Sequence, residues 1–238
     1  MSDSLAFVDW EPIYEAILAD FGFDRAADER ARDVAADLAT PFDHDQLNSL
    51  NGATVAVVGA APSLVAELAE FDPKSVDAVV AASTAVDVLA DADIAVDLMV
   101  TDLDKNVATA RDLTLSGTPV AAHAHGDNIP TVREWLPQFD SAYTLVTTQA
   151  APRDAVANYG GFTDGDRAAF LADAFGASEL QFLGWDFDDP AVDPMKARKL
   201  RWAEHLLYWL EDRRDDRFGV LDGRRESLTT AVTSLTTG

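Results

Sequence analysis

From residue 54 onward, short apolar runs alternate with longer stretches in which apolar residues return at helical spacing. Runs of four or five apolar or β-branched residues bounded by polar ones suit strands buried on both faces. They occur at 54–58, 78–82, 97–101, 119–122, 143–146 and 180–183. Residues 64–71, 84–90, 107–115, 131–136 and 166–175 read as the intervening helices, and 195–212 as a long final helix carrying Leu200, Ala203, Leu207 and Leu210 on one face. This alternation predicts an α/β fold, a Rossmann-like, mostly parallel sheet with helices on both faces. Residues 1–50 predict an N-terminal helical cap. Trp10, Ile13, Ile17, Leu18 and Phe21 share helical spacing, Pro12 sits near the start where proline is tolerated, and a second helix over 24–38 stops before Thr40-Pro41. No chemistry is expected in that cap, and His44 reads as a loop histidine. The predicted organisation is thus a helical region (1–50), an α/β catalytic domain (51–212) and a polar, Thr-rich C-terminal extension (213–238) ending as a strand or a loose tail.

Polar residues gather where five of the strands end. In a parallel sheet these ends share one edge, and open α/β sheets bind ligands there. The run 98–100 breaks into Thr101, Asp102 and Asp104. Two apart on extended backbone, the carboxylates would point the same way, a set suited to Mg²⁺, which proteins bind through one or two carboxylates plus substrate phosphates. A plain Asp-rich turn is the competing reading. Gly59-Ala-Ala-Pro62-Ser63 follows the first strand and could offer backbone N–H groups to phosphate, or be a tight strand-to-helix turn. The Walker A lysine is missing, the dinucleotide fingerprint is incomplete, and 78–85 holds no acid for a ribose, which argues against a P-loop or an NAD enzyme. His123 and His125 would share a strand face, as transition-metal ligands or as pocket walls. With only His44 and His205 left, a full ligand set is hard to complete. Asp127 and Asn128 follow directly, Thr147-Thr148-Gln149 ends the fifth strand, and Gly184-Trp185-Asp186 the sixth.

Two further clusters lie on helices. In Gly160-Gly-Phe162-Thr163-Asp164-Gly-Asp166-Arg167, Thr163 and Asp166 approximate a capping box, yet capping does not call for the glycines, Asp164 or the arginine. Lys196 and Lys199 meet on one helix face. They are half of the four lysines in the chain, which suits a phosphate clamp better than a solvated basic spot.

Composition narrows the partners. Eighteen Lys and Arg against 42 Asp and Glu give a net charge of -24 in 238 residues. Such a surface repels nucleic acid and anionic membranes, which argues against both as partners, and it repels itself unless salt screens it, the pattern of a halophilic protein. No cysteine is present, so disulfides, thiolate nucleophiles and cysteine zinc sites are excluded. Neither a signal-peptide pattern nor a long apolar run occurs, so a cytoplasmic location is expected. A homo-oligomer is left open.

Gly-Ala-Ala-Pro-Ser-Leu, Val-Thr-Asp-Leu-Asp, His-Ala-His-Gly-Asp-Asn, Gly-Gly-Phe-Thr-Asp-Gly-Asp-Arg-Ala and Gly-Trp-Asp-Phe, in this order between about residues 54 and 200, resemble the archaeal hydroxymethyl-dihydropterin diphosphokinases of the MptE-like type. The resemblance implies an ATP- and Mg²⁺-dependent transfer of diphosphate to 6-hydroxymethyl-7,8-dihydropterin, releasing AMP, in folate or methanopterin synthesis. On that basis Asp102 and Asp104 would hold Mg²⁺, Asp127 would be a third ligand or a base, and Lys196 and Lys199 would neutralise the transferred group. Gly59, Pro62, Ser63, Thr101, His125 and Asn128 would bind ATP phosphates. Phe162, Thr163, Asp164, Asp166, Trp185 and Asp186 would contain the pterin's carboxylate partner and its aromatic wall. Two positions depart from the family pattern, Ala61 and Lys105, where glycine is usual. A sugar-nucleotide-dependent, glycosyltransferase-like protein and a non-catalytic nucleotide-binding module are the alternatives.

Overall fold

The computed structural model describes residues 5–228. Its six strands, β1 (Thr54–Val58), β2 (Ala78–Ala82), β3 (Leu98–Thr101), β4 (Val120–Ala124), β5 (Thr144–Thr148) and β6 (Glu179–Leu183), form one all-parallel sheet in the order β5-β4-β3-β2-β1-β6. The strands lie where the apolar runs predict them, with ends shifted by up to two residues. Alternate side chains serve opposite faces, as the period of a strand requires. Val55, Val57, Val80, Leu98, Val100 and Leu145 enter one core, and Ala56, Val58, Val79, Met99, Val120 and Val146 the other.

The first core is covered by α1 (Phe7–Phe21), α7 (Asp164–Ala174) and α8 (Pro194–Arg214). The second is covered by α2 (Arg25–Ala36), α3 (Leu64–Glu70), α4 (Ala85–Asp91), α5 (Val107–Leu115) and α6 (Ile129–Trp135). The chain steps outward from β1 to β5 through α3–α6, then returns through α7, which lies across β1, β2 and β3, to place β6 beside β1. Both predicted N-terminal helices are present, and they divide between the faces. Trp10, Ile13, Tyr14 and Ile17 of α1 are buried in the first core, and Ala31 and Ala35 of α2 in the second. The Gly22–Asp24 turn between them therefore crosses the C-terminal edge of the sheet.

Beyond α8, residues 215–228 contain no strand. Phe218 and Leu221 are buried, a 3₁₀ turn spans Gly219–Leu221, and Arg225 binds Glu211 of α8 at 2.6 Å. The rest of the expected C-terminal extension, residues 229–238, lies outside the described residues. Among the described residues no helix is long and apolar enough to cross a membrane.

Candidate active site

The end of β3 organises the site. Thr101 is fully buried and its hydroxyl accepts the Leu103 N–H at 3.0 Å, while Asp102 Oδ1 accepts the Asp104 N–H at 3.3 Å. Leu103 takes a left-handed φ of 64°. The two aspartates are therefore not on extended backbone, as the spacing predicts. Strand pairing has ended at Thr101, and side-chain capture of successive N–H groups folds the chain into a turn. The carboxylates still converge. Turn and acidic pair are one feature.

A third carboxylate joins them. Asp164, the first residue of α7, brings an oxygen to a cluster in which Asp102, Asp104 and Asp164 lie within 4.8 Å of one another. Burial, reinforced by Asp102, pushes Asp104 up to about 6. Burial, followed by the charges of Asp102 and Asp104, lifts Asp164 well above the carboxylate range despite Arg167. Asp102 is held below its ordinary value against burial, by hydrogen bonds with Asp104 and by the charges of Arg167 and His125. Three oxygen donors that oppose one another's ionisation fit a hard divalent cation, which would relieve all three.

Cations approach the cluster from three elements. Arg167 of α7 is buried, with Nη1 3.2 Å from Asp164 Oδ1 and Nη2 3.4 Å from Gln149 Oε1. From α8, Lys199 lies 5.8 Å over the Phe162 ring and its charge lowers Asp104, as does that of Lys105; Lys196, exposed, lowers Asp164. The lysine pair, distant in sequence, thus reaches the same acidic cluster.

A cleft of about 270 Å³ opens beside it. The ends of β3, β4 and β5 supply Asp102, His125, Asp127 and Gln149, and Phe162, Arg167 and Lys199 line it as well. The remaining wall is Phe23, Asp24, Ala27 and Asp28, from a region in which sequence reasoning expected no chemistry. Asp28 escapes notice because it sits in a run of charged and alanine residues and reads as solvated. It is 5% exposed and accepts from Tyr14 Oη at 2.8 Å, Gln149 Nε2 at 2.7 Å and the Gly126 N–H at 2.8 Å.

Several expected site residues do other work. Asp166 is fully buried and accepts the N–H groups of Phe162 and Thr163 at 2.5 and 2.9 Å, together with the Thr163 hydroxyl, so the capping box holds and consumes both residues. Gly160 and Gly161, each at φ 86°, let the preceding loop take the left-handed turns this cap requires. Trp185 donates to Val57 O at 3.0 Å, and exposed Asp186 closes a local turn by accepting the Asp188 N–H; neither lines the cleft. Asn128 ties two strand ends together, donating to Asp102 O at 2.5 Å and His123 O at 2.7 Å while accepting the His125 N–H at 3.0 Å.

His123 is buried and bonded through Nδ1 to Thr147 Oγ1 at 3.0 Å; burial, then Arg167 and His125, press its pKa well below the histidine range. His125 does line the cleft, with Nε2 3.8 Å from Asp102 Oδ2, and burial and Arg167 also keep it toward the neutral form. Asp127 is exposed at the rim and stands apart from the three-carboxylate cluster.

At the other end of the crevice, Gly59 and Ala61 donate to Leu183 O and Gly184 O at 2.8 and 2.9 Å, closing β1 onto β6. A Cβ at Gly59 would come within 2.6 Å of Gly184 O, which explains the glycine by close approach. Ser63 Oγ is buried without a hydrogen-bond partner among the described residues, and Pro62 is exposed.

The chain is thus a doubly wound α/β protein that gathers a carboxylate cluster, cationic side chains and a cleft at the C-terminal edge of its sheet, where open sheets of this class bind ligands. Residues 34–191 match the family described as 6-hydroxymethylpterin diphosphokinase MptE-like, and the chain belongs to that family. It is 36% identical over 228 residues to the 6-hydroxymethyl-7,8-dihydropterin pyrophosphokinase of Methanothermobacter thermautotrophicus, covering 87% of this chain and 96% of that one. Proteins of the same name from Pyrococcus furiosus and Methanocaldococcus jannaschii are 35% and 30% identical, each over 86% of this chain and 94% and 95% of their own.

Proposed function

We propose that the protein transfers diphosphate from ATP to 6-hydroxymethyl-7,8-dihydropterin, releasing AMP. The observation that carries the reading is the convergence of Asp102, Asp104 and Asp164 with Lys196 and Lys199 beside a cleft, in a chain whose relatives bear the pyrophosphokinase name. Phosphoryl transfer of this kind needs positioning and charge neutralisation more than covalent catalysis. Asp102, Asp104 and Asp164 would hold Mg²⁺, which when bound supplies neutralisation of the phosphate chain. Lys196 and Lys199 balance charge on the transferred group.

In the cleft, Phe162 and Phe23 are the flat apolar surfaces against which a bicyclic ring stacks. His125, kept neutral, and Asp127 are the groups able to accept the alcohol proton. The alcohol oxygen bonds to the β-phosphorus, the bond from that phosphorus to the α,β-bridging oxygen breaks, and AMP departs. ATP phosphates then lie toward β1, where Pro62 and Ser63 remain the candidate neighbours. Asp164 moves in this reading from pterin partner to cation ligand.

The test is incubation with ATP, Mg²⁺ and the pterin alcohol, followed by chromatographic identification of the nucleotide. AMP is expected, and ADP would refute diphosphoryl transfer. Asp102→Asn and Asp104→Asn, folded by circular dichroism, should each lose ~10²- to 10³-fold in turnover, the usual worth of a preorganised electrostatic group. Full activity in both would reduce the acidic pair to a turn.

A further inference from the structure

Asp28 has no part in the reaction as described, yet it is a buried carboxylate at the wall of the cleft. Its Oδ2 accepts from both Tyr14 and Gln149, and its Oδ1 from the Gly126 N–H. Burial, then the charge of Asp28, raises the Tyr14 phenol, so Tyr14 is a donor in this contact. Gln149 therefore faces Asp28 with its NH₂, and an amide so held has only its oxygen left for the other side. That oxygen meets Arg167 Nη2 at 3.4 Å, and the same guanidinium reaches Asp164 at 3.2 Å. A reversed amide would set N–H donors against the guanidinium.

We propose that Asp28 is a positioning residue. By fixing the polarity of the Gln149 amide it sets the Arg167 guanidinium on Asp164, and so links the N-terminal helices to the cation-binding carboxylates. The proposal rests on the reading of Asp164 as a cation ligand. Gly126 belongs to the same device: a Cβ there would stand 2.6 Å from Ala27 Cβ, so α2 can seat Asp28 only against a glycine.

The chain of donors and acceptors can be reversed without changing net charge. In Asp28→Asn the new NH₂ faces Gln149, and the amide turns or loses its bond. In Gln149→Glu two carboxylates meet where 2.7 Å now separates donor from acceptor. In the double variant the amide introduced at position 28 donates to the carboxylate introduced at position 149. The oxygen of that amide still accepts from Gly126, the Tyr14 hydroxyl, which shares Oδ2 with Gln149, turns to accept from the new NH₂, and Arg167 again meets an acceptor. Mn²⁺ binding to substrate-free protein, followed by electron paramagnetic resonance, and kcat/KM with Mg²⁺ are measured for all four proteins. Each single variant should lose ~10- to 100-fold in both, the usual cost of removing an outer partner of a ligand. The double variant should regain most of that loss, a coupling that a merely structural role does not produce.

Additive losses in the double variant, or Mn²⁺ affinities unchanged in the singles, would overturn the proposal. Melting of the four proteins without cation identifies any single variant that fails to fold, and the double variant then decides. If the wild type releases no AMP, the functional reading fails, while the Mn²⁺ series still tests the positioning role.

Discussion

The replacement Asp164→Asn separates a cation ligand from a capping residue, because its neighbour Asp166 offers the opposite case within the same turn. At separations up to 4.8 Å, two ionised carboxylates repel by at least roughly 3.5 kcal/mol at an effective dielectric of about 20. Asp164 meets two of them, Asp102 and Asp104. Arg167, 3.2 Å away, returns roughly 5 kcal/mol on the same scale, and burial tips the balance toward the protonated acid. Asn is close in shape to a protonated Asp and still offers Arg167 an oxygen. Cation-free stability should therefore hardly change.

Cation binding is another matter, since it requires Asp164 to ionise and Asn cannot. Wild-type protein should gain about 2.7 kcal/mol when Mg²⁺ reaches about 100 times its dissociation constant, and Asp164→Asn should lose most of that gain. Asp166→Asn should behave in reverse. An amide cannot accept the Phe162 and Thr163 N–H groups from both sides, and a stranded buried donor costs about 1–3 kcal/mol, with or without the cation. At roughly 2–4 °C per kcal/mol for a chain of this size, calorimetry resolves both effects. The assignment of Asp164 is refuted if Asp164→Asn keeps the full Mg²⁺ shift, or if it loses as much cation-free stability as Asp166→Asn.

Three other outcomes follow from the same physics. With a net charge of -24, the melting midpoint should rise between low and molar KCl as screening shortens the reach of surface repulsion; a flat or falling curve refutes the salt-adapted reading. His123 has its folded pKa depressed by burial, so below about pH 6.5 the unfolded chain binds a proton that the folded chain refuses. Stability should therefore drop as pH drops below that point, by up to about 1.4 kcal/mol per unit from this group, and urea midpoints of His123→Gln should drop less steeply. Gly126→Ala forces a methyl to within 2.6 Å of Ala27 Cβ and 3.2 Å of its carbonyl carbon, and should cost about 1–3 kcal/mol in chemical denaturation; wild-type stability would mean that α2 moves freely on β4.

What the residue pattern reveals, and what it hides, divides along physical lines. The inner strands were legible because they bury both faces and so read as unbroken apolar runs, as at Val55–Val58 or Ala78–Ala82, whereas β6, at the sheet edge, carries Glu179 and Gln181 and is only partly buried. The gathering of polar groups at the C-terminal edge was legible because all-parallel strands put their polar ends together. The spacing of Asp102 and Asp104 predicts their convergence but not the turn that produces it, since side-chain capture of the Leu103 and Asp104 N–H groups is invisible to a period of two. Asp164, Asp166 and Asp186 were indistinguishable as acids; only tertiary placement separates a cluster member from a cap and from a solvent turn. The lysines were found by scarcity and helical spacing, but their reach to β3 depends on how α8 packs.

The clearest gap is α2. Its sequence, rich in Arg, Asp and Ala, offers a narrow apolar stripe of Ala31 and Ala35, and a buried acid next to such a stripe looks no different from a solvated one. What makes Asp28 special is supplied elsewhere: a tyrosine on α1, a glutamine ending β5, and a glycine after β4 that leaves room for the helix. Each partner is explicable alone as core or turn. A carboxylate with no cation in hydrogen-bond contact is nevertheless costly to bury, and it persists only when three donors meet it in fixed directions. Such a fixed set of directions gives the N-terminal helices a polarity to pass on, whereas an apolar contact would have given them only a position.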